Sequence, residues 1–163
     1  MNASPSTTTP GVVQVLSVSP VPEDHCALQN ILRSAMDPSR TFSVNPRTTL
    51  AAAFAALRDR QFEVVVCERD LQPGSWKDVL DEALILPDPP PLVVTSRLAD
   101  ERLWAEALNL GAHDVLSKPF DRTETMRVVD AACLSCGYPR RLPARRERYK
   151  LKVMTCRSLV LKA

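Results

Sequence analysis

Polar residues that could do chemistry follow four short apolar runs of the chain. Ser19 and Pro20 come after the first run, Glu68 after another, Thr95 after a third and Lys118 after the last. If these runs are parallel strands of one sheet, their carboxyl ends share one edge, where the crevice of such folds lies. Opposite charges on adjacent strand ends are then expected to pair. Glu68 and Lys118 would form a partly buried ion pair near Thr95.

The segment from Pro91 to Phe120 indicates how these residues are positioned. It opens with an apolar, β-branched run over 92–95, which is typical of a buried strand. An amphipathic stretch over 100–110 follows, and Gly111 stands where a helix C-cap glycine is expected. A second short strand begins at Val115. Strand, helix and strand in this order form the βαβ unit of a parallel sheet.

The rest of the chain repeats the alternation of strand and helix. Further strands are predicted over 12–18, 41–44 and 62–67, one helix is predicted to begin at Pro22, and others to cover 47–60, 76–84 and 121–133. The order (βα)₅ predicts an α/β fold, a doubly wound parallel sheet with helices on both faces in a three-layer sandwich.

Three short motifs add a family resemblance. They are Thr95-Ser96, Gly111-Ala112-His113-Asp114 and Ser117-Lys118-Pro119-Phe120. In this order and at this spacing they resemble the second half of a response-regulator receiver domain (CheY-like), and the resemblance covers the chain from Val12 to Cys133. It implies a flavodoxin-like fold with the sheet order 2-1-3-4-5.

The resemblance also implies roles for the polar residues. In the family, two acidic residues stand at the positions of Ser19 and Pro20, and the phosphorylated aspartate stands at that of Glu68. Those three carboxylates bind one Mg²⁺, a hard cation that needs several oxygen ligands. Thr95 and Lys118 match the hydroxyl and the ammonium that contact the phosphoryl group. Because proline has no side-chain oxygen and serine substitutes poorly for a carboxylate, we expect a degenerate pseudo-receiver with no Mg²⁺ and no other cofactor.

A further departure concerns signalling. Three residues before the lysine, where the family places an aromatic whose rotation reports activation, the chain has Val115. Two interpretations of Glu68 remain open: an inert salt bridge with Lys118, or a mimic of the phosphorylated state that holds one signalling conformation. Glu23 and Asp24 are interpreted as first-turn charges that favour the helix dipole rather than as site residues.

Other residues with chemical potential are isolated. His25 and His113 have no arrangement that suggests catalysis and are interpreted as surface or helix-start histidines. Cys133 and Cys136 form a CxxC without a second Cys or His pair nearby, so they are interpreted as incidental. With four glycines and no GxGxxG, the chain has no phosphate-cradling loop, and we expect no enzyme. Trp104 fits a core position and a partner-facing position equally well.

Composition divides the chain into three parts. Residues 1–10 are rich in Ser, Thr and Pro and are predicted to be disordered, residues 11–135 form the receiver-like domain, and residues 136–163 form a basic tail. No apolar run approaches the roughly 18 residues of a membrane span. The first ten residues do not resemble a signal peptide, so a cytoplasmic protein without membrane contact is expected.

These observations predict a stand-alone receiver-like signalling module of a bacterial two-component (phosphorelay) system. It would not be phosphorylated and would act by protein–protein interaction, with a histidine kinase or another regulatory protein as its partner. One alternative is a residual Mg²⁺-dependent phospho-accepting response regulator, with Ser19 or Glu68 in an unusual role. Another is a nucleic-acid-binding regulator that uses the charge of the basic tail.

Overall fold

The computed structural model describes residues 11–35 and 37–136. The disorder predicted for residues 1–10 and the basic tail predicted after the domain lie outside the described residues, apart from Cys136 at the start of that tail. Both remain predictions.

Five strands and five helices alternate along the described chain. The strands are β1 (Gly11–Val18), β2 (Arg40–Arg47), β3 (Val64–Glu68), β4 (Leu92–Ser96) and β5 (Asp114–Ser117), and the helices are α1 (Pro22–Arg33), α2 (Leu50–Asp59), α3 (Trp76–Leu84), α4 (Glu101–Leu110) and α5 (Arg122–Ser135). All neighbouring strands pair in parallel, in the order β2-β1-β3-β4-β5. The predicted fold class and strand order are confirmed.

The central strand β3 shows how the sequence builds a core on each face of the sheet. Val64 and Val66 pack on the face covered by α1 and α5, whereas Val65 and Cys67 pack on the face covered by α2, α3 and α4. Successive side chains of a strand point to opposite faces, so a strand covered on both sides is apolar throughout. All five residues of β3 are accordingly buried.

Local signals set the ends of the helices that border the crevice. The side chains of Asp100 and Asp121 cap α4 and α5, each accepting a backbone N–H from the third residue of its helix at 2.8 Å. A capping box between Ser75 and Asp78 begins α3. Gly111 ends α4 in the left-handed conformation with φ 107°. The cap predicted there from the glycine is therefore present.

The connection between β2 and α2 differs from the predicted elements. The strand continues to Arg47 rather than ending at Val44, and the helix begins at Leu50 rather than at residue 47. Thr49 is extended, and its Oγ1 accepts a hydrogen bond from the backbone N–H of Ala52 at 3.2 Å. This side-chain cap satisfies a free amide of the first turn and fixes the later start.

The surface of α4 divides between core and solvent. Trp104, whose position was open, is partly buried and packs against the core on the α2–α3–α4 face. Leu108, one turn later on the helix, is 48% exposed. Among the helices of the described chain, none has the length and apolar character needed to cross a membrane.

Candidate functional site

The carboxyl ends of four strands bring the predicted site residues to one edge of the sheet. Glu68 is the last residue of β3 and lies beside Thr95 of β4. Ser19 directly follows β1 and Lys118 directly follows β5. The backbone N–H of Lys118 donates to the oxygen of Ser96 at 3.0 Å, which anchors the lysine at the end of the sheet. The exposed ring of Pro20 lines the mouth of this crevice.

Lys118 makes the ion pair with Glu68 that was predicted, and it makes a second one. Its Nζ contacts Glu68 Oε2 and lies 2.8 Å from Asp24 Oδ2. The three side chains are 8%, 10% and 17% exposed for Lys118, Glu68 and Asp24 respectively. Burial lowers the pKa of Lys118, but hydrogen bonds and charges from the two carboxylates outweigh it and raise the pKa above 10.5. The ammonium is therefore charged at every physiological pH.

Hydroxyl and amide donors complete the surroundings of Glu68. Thr95 Oγ1 donates to Glu68 Oε2 at 3.3 Å, and the backbone N–H of Asp70 donates to Oε1 at 3.4 Å. The hydroxyl and the lysine that resemble the family's phosphoryl-binding pair thus converge on a single carboxylate oxygen. Glu68 occupies the place toward which both groups point.

Asp24 belongs to the crevice, so its interpretation as a helix-dipole residue only was wrong. It lies in the first turn of α1, which has no side-chain cap. The Ser19 hydroxyl donates to Asp24 Oδ2 at 2.6 Å, and Lys118 contacts the same oxygen. Ser19 Oγ also accepts a hydrogen bond from the backbone N–H of Val21 at 3.1 Å, so the serine folds the loop that brings the aspartate in. We call Ser19, Asp24, Glu68, Thr95 and Lys118 the Lys118 cluster.

His25 lies at the start of α1, as the helix-start interpretation has it, but its side chain is buried rather than at the surface. Its Nε2 lies 3.0 Å from the backbone oxygen of Ser19 and its Nδ1 lies 2.7 Å from Ser17 Oγ. A carbonyl only accepts, so Nε2 carries the proton, and the neutral ring accepts from the Ser17 hydroxyl. The burial of His25 was predictable from the sequence, because residues 25, 28 and 32 share one helical stripe, and both Leu28 and Leu32 are buried.

Burial also sets the protonation of His25. Desolvation lowers the pKa of this imidazole below its ordinary 6.5, and outweighs the hydrogen bond to Ser19 and the charge of Asp24, which raise it. The ring is therefore neutral at pH 7, in the tautomer that holds the Ser19 carbonyl.

Val115, at the position of the family's switch aromatic, is a core residue. Its side chain is 1% exposed and packs in the core on the α2–α3–α4 face with Leu103 and Ala107. It has no ring that could rotate between a buried and an exposed position. A crevice of about 310 Å³ remains above the cluster, between Pro20, Arg69 and Arg97.

The Mg²⁺ that the fold family implies does not fit the groups present. Two partly buried carboxylates, Asp24 and Glu68, contact Lys118, and its ammonium already lies between them. The carboxylate of Asp70, which also lines the crevice, is exposed and pairs with Arg69. Mg²⁺ needs about six oxygen ligands at 2.0–2.1 Å. Among the residues that the structure describes, no group of three or more His, Cys, Asp or Glu side chains could hold a metal ion. The donor set is that of a salt-bridge cluster.

The CxxC lies away from the crevice, at the end of α5. Cys133 is half-buried and Cys136 is exposed. Burial raises the pKa of Cys133 to about 11, so the thiolate needed for metal binding or disulfide exchange is scarce at pH 7.

Comparisons with known proteins agree with this fold. The family model of the response regulator receiver domain matches residues 21–130. The chemotaxis response regulator CheY4 of Vibrio cholerae superposes with a TM-score of 0.64 at 15% identity, over 75% of this chain and 99% of that chain. A two-component response regulator from Clostridium difficile gives 0.66 at 16% identity, over 77% and 99%.

A third structure is similar at the same level. The receiver domain of the sensor histidine kinase PA1611 from Pseudomonas aeruginosa, solved with a magnesium ion coordinated in its active site cleft, gives a TM-score of 0.63 at 19% identity, over 77% of this chain and 100% of that chain. No curated protein matched the chain. The superpositions establish the fold, and the family match extends over most of the domain. The chain belongs to the response regulator receiver domain family.

Proposed function

We propose that this receiver domain acts in two-component signalling without being phosphorylated, through contact with another protein. The observation that carries the proposal is the engagement of Glu68. This residue stands at the acceptor position, and both Lys118 and Thr95 already contact its Oε2. The partner would be a protein of the same signalling class, such as a histidine kinase, in the cytoplasm.

The chemistry of phosphoryl transfer supports this proposal. An acceptor oxygen must attack in line, and a metal ion neutralises the charge that develops on the transferred group. Glu68 Oε2 is occupied by two hydrogen-bond donors, and Oε1 receives the amide of Asp70. The glutamate is also one methylene longer than the aspartate of the family. Without a metal site, neither requirement of the transfer is met.

The same contacts favour one of the two interpretations of Glu68. In the family the hydroxyl and the lysine contact the phosphoryl group, whereas here Thr95 and Lys118 contact the Glu68 carboxylate. A permanent anion at this point holds both side chains in their engaged positions. Because Val115 offers no rotating ring, the domain would present one surface conformation to its partner at all times. It would have no catalytic activity of its own.

The experiment is incubation with acetyl phosphate and Mg²⁺, followed by intact-mass analysis. We expect no phosphoryl adduct on the wild-type chain. The matched control is the variant S19D/P20D/E68D, which restores the three family carboxylates. It is expected to gain a phosphoryl adduct that hydroxylamine removes. An adduct on wild-type Glu68 would contradict the proposal.

One alternative has an observation in its favour. Asp24 gives the crevice a second carboxylate, as a residual Mg²⁺-dependent phospho-accepting domain requires. The same assay separates the two functions. If that alternative holds, the wild type is phosphorylated in the presence of Mg²⁺, and the variant D24N loses the adduct.

A further inference from the structure

The ammonium of Lys118 lies between the two carboxylates of the Lys118 cluster, Asp24 and Glu68. Its Nζ contacts Glu68 Oε2 and lies 2.8 Å from Asp24 Oδ2, and its side chain is 8% exposed. We propose that this ammonium is the built-in counterion of the crevice. It pairs with both Asp24 and Glu68 from within the chain, occupies the space between them and thereby excludes divalent cations.

The exclusion follows from distances. A Mg²⁺ or Mn²⁺ ion binds carboxylate oxygens at roughly 2.0–2.2 Å. An ion between Asp24 Oδ2 and Glu68 Oε2 would therefore lie almost at the point that Nζ occupies. A dication and an ammonium repel each other strongly at such a separation in a partly buried site. Withdrawal of the Lys118 side chain is costly, because it is 8% exposed and would have to break two partly buried ion pairs.

The charges of the cluster are only partly balanced within the chain: two carboxylates and one ammonium leave one net negative charge. The hydroxyls of Ser19 and Thr95 each donate to one of the carboxylates, at 2.6 and 3.3 Å. Asp24 is also 17% exposed, so water reaches it. These donors stabilise the remaining charge, which explains how Ser19 serves at a position where the family has a carboxylate.

A test follows from the removal of the ammonium. In the variant K118M, the methionine keeps much of the length of the lysine but not its charge. Two partly buried carboxylates are then left without a counterion, and the hydroxyl oxygens of Ser19 and Thr95 lie beside them. Such a set of hard oxygen donors attracts a divalent cation. We therefore expect K118M to gain a divalent-cation site that the wild type lacks.

The probe is Mn²⁺, followed by isothermal calorimetry and by the midpoint of thermal unfolding. The wild type is expected to show no saturable binding and no shift of the midpoint. K118M is expected to bind Mn²⁺ at least about tenfold more tightly than the wild type and to gain several degrees of stability from it. The double variant D24N/K118M should lose that gain. K77M is the matched control, because Lys77 pairs with Glu106 at the surface.

The outcomes decide the proposal in each case. Saturable Mn²⁺ binding by the wild type, or a folded K118M that does not respond to Mn²⁺, would overturn it. If K118M does not fold, paramagnetic broadening of the wild-type amide spectrum by Mn²⁺ decides instead. Selective broadening at Val21 and Arg69, which line the crevice, would refute the built-in counterion, and its absence would support it.

This inference deepens the proposed function, since it explains why the crevice does not take the metal ion that phosphorylation needs. The two can fail separately. A wild-type chain that binds Mn²⁺ but gains no phosphoryl adduct would refute the counterion and leave the proposed function intact.

Discussion

His25 donates a hydrogen bond from Nε2 to the backbone oxygen of Ser19 at 3.0 Å, and so ties the buried face of α1 to the loop of the crevice. The other ring nitrogen accepts from Ser17 at the end of β1. One imidazole therefore joins a strand, a loop and a helix. The residue before it on the helix, Asp24, enters the Lys118 cluster, so the ring also sets where that carboxylate lies.

Replacement of His25 is expected to destabilise the domain. H25A leaves the Ser17 hydroxyl and the Ser19 carbonyl without their partner, which costs about 1–3 kcal/mol in the free energy of unfolding. H25Q is the control, since its amide nitrogen can reach the Ser19 carbonyl, and it is expected to cost less. Urea unfolding at pH 7.5 measures both. Equal losses in the two variants would show that the hydrogen bond to Ser19 contributes little.

The same histidine predicts a dependence of stability on pH. Because burial lowers the folded-state pKa of His25 below 6.5, the unfolded chain takes up a proton at a higher pH than the folded chain does. The contribution of the neutral ring is complete above about pH 6.5 and is lost as the pH falls from there through the folded-state pKa. Urea unfolding between pH 8 and pH 5, at intervals of about one unit, should show this decrease in the wild type.

The variant H25Q should lack this part of the decrease. An NMR titration of the wild type gives the folded-state pKa of His25 directly. A value at or above 6.5 would rule out the burial argument.

The Lys118 cluster predicts that removal of the ammonium alone destabilises the domain more than removal of the ammonium together with both carboxylates. K118M leaves two partly buried carboxylates without a counterion and is expected to lose about 3–5 kcal/mol of stability in metal-free buffer. The neutral triple variant D24N/E68Q/K118M should recover most of that loss, since the hydroxyls of Ser19 and Thr95 still have amide oxygens to donate to. Guanidinium unfolding in the presence of a chelator compares the two. A triple variant no more stable than K118M would mean that packing of the lysine stem, not its charge, matters.

Alanine substitutions at glycines test how much the backbone conformation and the close contacts at these positions cost in stability. Gly74 has φ +89°, and a Cβ there would lie 2.7 Å from Asp78 Oδ2 and 2.9 Å from Leu50 Cδ2. Asp78 cannot move away freely, because it belongs to the capping box of α3. G74A is therefore expected to cost more than the roughly 1–2 kcal/mol of left-handed strain alone. G11A, with nothing within 4 Å of the added Cβ, should be neutral. Thermal unfolding in which G11A lost as much stability as G74A would contradict this expectation.

The fold was predictable because its signals are local. The apolar runs marked all five strands, and Gly111 and the start of α3 at Trp76 fell where predicted. The error at α2 arose because its alanine-rich sequence has high helix propensity, whereas the structure begins the helix where Thr49 caps it. A cap depends on one side-chain conformation, which periodicity does not encode.

The site was predictable only in part. Strand ends place Glu68, Thr95 and Lys118 together in any parallel sheet of this order, so sequence and topology suffice for them. Asp24 reaches the crevice through the path of the loop after Ser19, and that path depends on hydrogen bonds between residues five apart. Acidic residues at a helix start commonly stabilise the helix dipole. This explanation accounted for Asp24 fully, so its contact with Lys118 was not predicted.

Pro46 in the outer strand β2 has a consequence for the behaviour of the protein in concentrated solution. The carbonyl of Arg47 accepts the N–H of Ser19 in the loop after β1. The backbone polar groups of successive residues in a strand point to opposite sides, so those of Pro46 point away from β1. Proline has no N–H, and the outer edge of the sheet, as far as the described residues form it, therefore lacks a donor at that point. A strand from another molecule would meet a gap in its hydrogen bonds there. The edge is in this way protected against the sheet-to-sheet growth that leads to aggregation.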